Sequence, residues 1–394
     1  MHQHKKIKIL FLHANNKDIG GADYCLFKLS DQLDKDKFTP VVCLSMKTEV
    51  LELYKKACIK TYLIDMERIR KSDDPDYLIK LLFKFVPTIF KIKKIIKKEN
   101  IHIVHGNDLL DIYGPIAGKL LRIPVIQHVR WILISPSIFK KIITNLVYIL
   151  NNKIITVSNS VSKEMFSNSH YVKPNVETCY DWIDMEKVGH TKKSSEIRNE
   201  FNISKKISLV GVIGRLEPWK GQEVFIRAAS IVLRSFPKTM FFVVGGMVEG
   251  RKRELYGSML IKLAEDLNIR DHVIFTGHRE DVYEIINELD VFVHSSIGPD
   301  PLPGVVMEAM FCSKPVVGAN AGGVPEEVVD WKTGLLYTPG DYKKMAEAII
   351  YLLKNPEMAK KMGRAGKDRI EKLFNKQYLC AKMESIYEEL ICQW

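Results

Sequence analysis

Short runs rich in β-branched residues return at intervals along this chain, and each is followed by a longer segment with helical periodicity. "IKILFLH", "TPVVCLS", "IHIVHG", "IPVIQHV" and "KIITVS" fall within the first 175 residues. Strands that are apolar on both sides must be covered on both faces, and strands joined through helices run parallel. This alternation predicts an α/β fold built on a doubly wound parallel sheet. The same pattern restarts at "ISLVGVIGR" and continues through "TMFFVVGG", "HVIFTG", "VFVHSS" and "KPVVGA". A second Rossmann-like domain is expected there, since 394 residues with 46% apolar content suffice for two cores. We place the domains at 1–175 and 207–374, with the polar, aperiodic stretch 176–206 as linker. Residues 375–394 form a last helix, expected to pack back on the first domain. Each domain should carry its ligand loops at the carboxyl ends of its strands, so that two such edges facing one another make a cleft.

Composition removes several function classes. The seven cysteines, at positions 25, 43, 58, 179, 312, 380 and 392, include no CxxC pair and make an odd total, which argues against a disulfide framework or a zinc knuckle. "MHQHKKIKILFLH" reads as a strand leading into a glycine loop rather than as a signal peptide. A cytoplasmic location is the expectation. Charge is lopsided: residues 1–200 hold 33 Lys and Arg against 22 Asp and Glu, while the remainder holds 26 against 25. The first half should therefore meet something anionic. No recognised nucleic-acid module is present, which leaves nucleic acid the weaker candidate.

Several residues stand where chemistry is expected. Arg215 and Lys220 bracket the turn "GRLEPWKG" between a strand and a helix, where two cations beside free helix-start amides suit a diphosphate. As isolated residues they would read as ordinary surface cations. Gly20 and Gly21 open the first helix and let backbone approach a ligand. The loop is not a full GxGxxG and lacks the acid a dinucleotide ribose requires, which disfavours a nicotinamide enzyme. His105, Asn107, Asp108, His128 and Arg130 end two consecutive strands, near the edge where a cleft should lie, as either structural residues or contacts for an acceptor or sugar. Glu308 sits inside the apolar run "GVVMEAMF", where burial without a partner would cost on the order of several kcal/mol. A hydroxylated ligand would relieve it. Gly322 and Gly323 in "AGGVPEE" would present amides to a phosphate or sugar, with Glu326 favoured in the first helical turn in any case. No His, Asp or Glu grouping shows metal-ligand spacing, and neither a metal nor an organic cofactor is expected.

Taken together and in order, "GRLEPWKG", "FTGHREDV", "DPLPGVVMEAM", "KPVVGANAGGVPE" and "TGLLYTPGD" resemble the retaining glycosyltransferases of family four, which have the GT-B fold. The likeness spans most of residues 207–340 and extends more loosely to the "GGA" loop, "HVR" and "VSNSV…KPNV" of the first domain. It implies that Arg215 and Lys220 neutralise the diphosphate of a nucleotide-sugar donor, that Glu308 accepts from the ribose hydroxyls, and that Gly277 and Arg279 lie near the base. Asp300 would hold sugar hydroxyls, Gly322 and Gly323 would offer amides, Gly20 and Gly21 would close over the diphosphate, and His128 would sit beside the sugar. The paired-acid motif usually opens with Glu, and Asp300 is one methylene shorter, about 1.5 Å less reach. The implied activity is retaining, metal-independent sugar transfer to a glycan or lipid-linked acceptor. Two alternatives share these features: a nucleotide-sugar epimerase of the same fold, and a nucleotide- or glycan-binding protein with weakened catalysis.

The segment "LIKLLFKFVPTIFKIKKIIKK" repeats apolar residues at 78, 82, 85, 89, 92 and 96 with lysines interspersed, and Pro87 should kink it. It reads either as a helix half-buried on the sheet with a solvated lysine face, or as one whose Phe83 or Phe90 touches an anionic membrane surface. "SPSIFKKIITNLVYIL" would add to the same surface.

Overall fold

The computed structural model describes residues 6–15, 20–67, 75–134, 137–167, 175–184, 195–246 and 251–394. The chain divides into two units, Met1–Asp181 with Gln377–Trp394, and Trp182–Lys376. In unit 1 the strands are β1 Ile7–His13, β2 Phe38–Leu44, β3 Lys60–Leu63, β4 Ile103–Gly106, β5 Val125–Val129, β6 Lys153–Thr156 and β7 Val176–Thr178. They form one sheet in the order β3-β2-β1-β4-β5-β6-β7, and every pairing is parallel. In unit 2, β8 Ser208–Ile213, β9 Thr239–Val244, β10 Val273–Gly277, β11 Val291–His294, β12 Val316–Ala319 and β13 Gly334–Tyr337 form a second parallel sheet in the order β10-β9-β8-β11-β12-β13.

The two doubly wound sheets expected from sequence are present, and the ten quoted β-branched runs supply ten of their thirteen strands among the described residues, the edge strands β3, β7 and β13 not being among them. The central ones, β4, β5, β11 and β12, are buried along their whole length. Helices supply the cover: Gln222–Ser235 buries Phe225, Ile226, Ala229 and Val232, a spacing that lines one face. Each fully buried aliphatic or aromatic side chain stabilises by roughly 1.5–3 kcal/mol. Both orders reverse direction once, between β1 and β4 and between β8 and β11, and the chain leaves these neighbouring strands toward opposite sides. A crevice opens at the carboxyl ends there, and ligands of open α/β sheets bind in it.

Within 176–206, read from sequence as linker, Val176–Thr178 is the edge strand β7 and Ser195–Glu200 is a short helix. Three to six residues are too few to carry a recognisable period. Residues 185–194, Lys173 and Pro174 of "KPNV", and the Leu78 side chain lie outside the described residues. Among the described residues no helix is long and apolar enough to cross a membrane.

The last helix, Lys376–Cys392, buries Leu379, Met383, Ile386, Tyr387 and Leu390 within unit 1. The Tyr387 ring meets Phe11 and Phe38 edge-on, and its hydroxyl lies 2.8 Å from Nδ1 of His105 at the centre of the sheet. Removing that hydroxyl strands a buried ring nitrogen, at a cost of about 1–3 kcal/mol. Tyr387→Phe should lower the denaturant midpoint of unit 1 accordingly, followed by chemical denaturation; an unchanged midpoint would refute the role given to this contact.

Candidate functional site

In unit 2 the switch point lies between β8 and β11. Beyond β8 the chain forms the loop Gly214–Lys220 and then enters the helix Gln222–Ser235 through Gly221. Gly221 has φ +70, and a Cβ there would come 1.9 Å from the carbonyl oxygen of Ser295, so only glycine lets the two loops pass this closely. Hydrogen bonds complete the join. The Ser295 hydroxyl donates to the Lys220 carbonyl at 2.7 Å and the Ile297 amide to the Trp219 carbonyl at 2.9 Å.

This stitching brings the Lys220 ammonium, from the β8 side, within 2.5 Å of Oδ2 of Asp300, from the β11 side. The ion pair straddles the crevice floor. Lys220 also stands 4.1 Å from the centroid of the Trp219 ring, a cation–π contact, while the indole N–H donates to Glu217 at 2.7 Å. His294 Nε2 lies 3.4 Å from the same Asp300 oxygen and 3.1 Å from the Ser296 hydroxyl. Burial alone would push the Asp300 carboxyl up, but the Lys220 ammonium, followed by His294, holds it well below the usual carboxylate range. For His294, burial outweighs the carboxylate and lowers its pKa, so the ring is neutral at pH 7. The result is an ionised, nearly buried carboxylate and an ammonium held in place before any ligand arrives.

Arg215 is the exposed counterpart. Its side chain is 44% exposed, with Glu217 3.7 Å away, a weak pairing that leaves the guanidinium able to turn toward an anion. Glu308 is only half-buried and accepts from the Tyr283 hydroxyl at 3.3 Å. The burial cost expected from its apolar helix is thus largely avoided, because the carboxylate reaches the surface and finds a protein donor.

Other expected contacts are engaged by protein. Gly322 has φ +61, and a Cβ would lie 2.0 Å from the Asp300 carbonyl; the Gly323 amide donates to that carbonyl at 2.8 Å. This pair of glycines therefore serves to seat the Asp300 loop, and the Gly323 amide is not available to a ligand. The Arg279 guanidinium is held by Glu200 at 2.6 and 2.8 Å and by Asp281 at 2.6 and 2.8 Å. That role ties the helix Ser195–Glu200 to the loop after β10. Gly277, with φ +71, turns this loop and leaves open space where a Cβ would be.

The strand ends of unit 1 correct the sequence reading more strongly. His105 is fully buried, and burial followed by the nearby Arg130 charge pushes its pKa down to about 3. His128 is 2% exposed and likewise neutral, with Nδ1 3.3 Å from Arg130. Arg130 is paired with Asp181 and donates to the Asn107 side-chain oxygen at 2.9 Å, while the Asn107 amide donates to the Ala22 carbonyl at 3.1 Å. These residues form a buried polar network under the β1, β4 and β5 ends, not an open contact surface. Beside them is a cluster that sequence reading did not single out. His13, ending β1, has Nε2 3.4 Å from Asp23 and Nδ1 3.3 Å from Asp111. Burial would lower its pKa, yet Asp111 and then Asp23 raise it to about 10, so it is an imidazolium at neutral pH. Asp23 Oδ2 in turn accepts from the Gly20 amide at 2.8 Å, which fixes the start of the helix Gly21–Gln32. Among the described residues, no group of three or more His, Cys, Asp or Glu is arranged to hold a metal ion.

Comparison with known proteins decides the family. Residues 19–187 match the model of Glycosyltransferase Family 4, and residues 193–369 the model of Glycosyl transferases group 1. The chain belongs to the group 1 glycosyltransferases of family four. This glycosyltransferase is 26% identical over 238 residues to the N-acetyl-alpha-D-glucosaminyl L-malate synthase of Bacillus anthracis, the match covering 60% of each chain. The chain thus spans about three fifths of that relative's length. A GDP-mannose-dependent phosphatidylinositol monomannoside mannosyltransferase of Mycolicibacterium smegmatis is 34% identical over 167 residues, 40% of this chain and 42% of the relative. Among solved structures, Anabaena HepE in complex with UDP and glucose superposes with a TM-score of 0.81 at 22% identity, over 97% of this chain and 99% of the other. The two doubly wound domains of the glycosyltransferase are accordingly those of the GT-B fold.

Trp219 and His294 escaped the sequence reading although each lies within a run that it quoted. A tryptophan next to Lys220 and a histidine ending the strand within "VFVHSS" were the available signals. Glu327, the last residue of "AGGVPEE", was passed over beside Glu326. It is fully buried, neither carboxyl oxygen has a hydrogen-bond partner, and burial followed by the Asp300 and Glu326 charges pushes its pKa well above normal. The folded state therefore keeps a proton that the unfolded chain releases, so the stability this gives is full below the ordinary carboxyl range and is lost as pH rises. Glu327→Met should stabilise by about 1–4 kcal/mol near neutral pH, with a smaller gain near pH 4.5. Thermal melts at the two pH values test this, and equal gains at both would refute it.

Proposed function

We propose that the protein moves a sugar from a nucleotide-sugar donor to a hydroxyl of a glycan or lipid-linked acceptor, with retention at the anomeric carbon. In this reading it works in the cytoplasm, peripherally at the inner face of a membrane, in the assembly of cell-surface polysaccharide. The observation that carries it is the Lys220–Asp300 pair at the switch point of unit 2, backed by Trp219 and His294. An ammonium and a carboxylate held together give one group for the phosphates and one for the sugar hydroxyls, side by side, as a sugar nucleotide presents them. The relatives lend support. Anabaena HepE has been crystallised with UDP and glucose and with UDP-glucose, and the Mycolicibacterium relative is GDP-mannose-dependent by name.

The mechanism follows from where charge develops. As the glycosidic bond to the donor breaks, negative charge collects on the leaving diphosphate. Lys220, held in place by Asp300, and the exposed Arg215 meet it, and a charge held as that of Lys220 is needs little reorganisation during the reaction. The reading assigns neutralisation of the diphosphate to these two cations and gives no metal ion a role. Asp300 and Glu308 orient hydroxyls of the sugar and the ribose, and ionised Asp300 is poised to accept from the sugar. Its shorter side chain is suited to the pairing with Lys220. Retention follows if the acceptor hydroxyl attacks from the face the diphosphate leaves, its proton passing to a phosphate oxygen.

Lys220→Ala and Arg215→Ala should each lower turnover by roughly a hundredfold or more, with the larger loss at Lys220. Release of nucleoside diphosphate in the presence of acceptor measures this, and near-normal turnover in Lys220→Ala would refute the assignment. Calorimetric titration with UDP, GDP, ADP and dTDP identifies the base, and failure of all four to bind would overturn the donor reading. Transfer to an added acceptor separates a transferase from an epimerase.

A further inference from the structure

The helix Pro75–Glu99 carries two apolar stripes on opposite sides. Tyr77, Ile89, Ile92, Ile95 and Ile96 are buried in unit 1. Ile79, Leu82, Phe83, Val86 and Phe90 are exposed, Phe83 by 78%. At 3.6 residues per turn these five fall within an arc of about 100°. The helix packs on Tyr113–Leu120, which in turn packs on Ser137–Leu150. The three helices link β3 to β4, β4 to β5 and β5 to β6, and right-handed crossovers in that order lie on one face of the sheet. Ser137–Leu150 turns Ile138, Ile142 and Ile149 outward, Ile138 by 72%, and Ile134 just ahead of it is 75% exposed. Single exposed aliphatic residues are ordinary, but two parallel stripes on one layer are not.

The charges around these stripes select the partner. Pro75–Glu99 holds seven lysines against two acids. One of the acids, Glu99, is only 9% exposed and bonds Lys60 and Tyr62. Lys80, Lys91, Lys94, Lys97 and Lys98 are exposed, and Lys93 lies 5.4 Å over the Phe90 ring. Ser137–Leu150 adds Lys140 and Lys141 and has no acid. A second copy of this face would bring lysines against lysines, and protein interfaces are depleted of charge at their cores. An apolar stripe bordered by lysines fits the boundary between headgroups and acyl chains of an anionic bilayer.

We propose that the outer face of the helices Pro75–Glu99 and Ser137–Leu150 docks on an anionic lipid bilayer, the phenylalanines and isoleucines entering the headgroup boundary and the lysines meeting the lipid charges. The inference rests on the function proposed above only for its purpose, delivery to a lipid-linked acceptor. Binding itself requires neither donor nor acceptor. The test is co-sedimentation of the full chain, without nucleotide, with vesicles of phosphatidylcholine containing about one third phosphatidylglycerol and with vesicles of phosphatidylcholine alone. The parent should bind the anionic vesicles and scarcely the neutral ones. Phe83→Ser with Phe90→Ser should reduce partitioning by about tenfold or more, and Lys91→Gln, Lys94→Gln and Lys97→Gln together by a similar factor. All the changed residues are exposed positions outside the core, so unchanged circular dichroism is expected of each variant. Parent-like binding by the phenylalanine variant would overturn the proposal, leaving simple electrostatic adsorption. No vesicle binding by the parent, with a dimer in sedimentation equilibrium that Phe83→Ser dissolves, would overturn it in favour of a second copy.

Discussion

An ammonium and a carboxylate 2.5 Å apart, one from each side of a chain reversal, set the terms for the rest of unit 2. Taking either charge into a nearly closed site alone would be costly, and together they satisfy one another. The surrounding backbone is arranged to keep them there. Gly221 allows the Lys220 turn to pass against Ser295, and Gly322 with Gly323 clasps the carbonyl of Asp300 itself. Glycine at these positions serves contact between loops, so any substitution strains the pair before it reaches a ligand.

Unit 1 is built on a parallel plan. Its sheet also reverses once, between β1 and β4, and a charged triad sits at that point: the His13 imidazolium with Asp111 from beyond β4 and Asp23 from beyond β1. A cation raised to about pKa 10 remains charged through the physiological range, and its contribution to stability is full below pH 6.5 and lost as pH rises through about 10. Here the charges hold the start of the helix Gly21–Gln32 and are sealed from solvent. In unit 2 the equivalent charges face a loop that still has an exposed arginine beside it.

The fold could be read from sequence because it depends on local pattern. β-branched runs such as "IKILFLH" and "VFVHSS" are strands for reasons contained within a few residues, and the parallel arrangement follows from the helical stretches between them. Arg215, Lys220 and Asp300 were singled out by their place in a motif order that resembles a family, and the fold brings Lys220 and Asp300 together. What sequence could not give is which polar residues are used up by other protein groups. His105, His128 and Arg130 look like ligand contacts along the chain, yet the fold turns them inward against Tyr387, Asn107 and Asp181. Arg279 looks free until Glu200, 79 residues earlier, is folded against it. The helix Pro75–Glu99 shows the limit differently: its apolar residues spread well beyond one face, and only the packing shows that Ile92 is buried while Phe83 faces solvent.

The account stands on the charge of Lys220, which a bound diphosphate would share with Asp300. It is tested most directly by measuring the affinity of the preferred nucleoside diphosphate for the parent, Lys220→Ala, Asp300→Asn and the double variant in a thermodynamic cycle. The account predicts weaker binding in Lys220→Ala, tighter binding in Asp300→Asn because the ammonium is released, and no gain from Asp300→Asn once Lys220 is absent. Additive effects, with Asp300→Asn acting equally whether or not Lys220 is present, would contradict it.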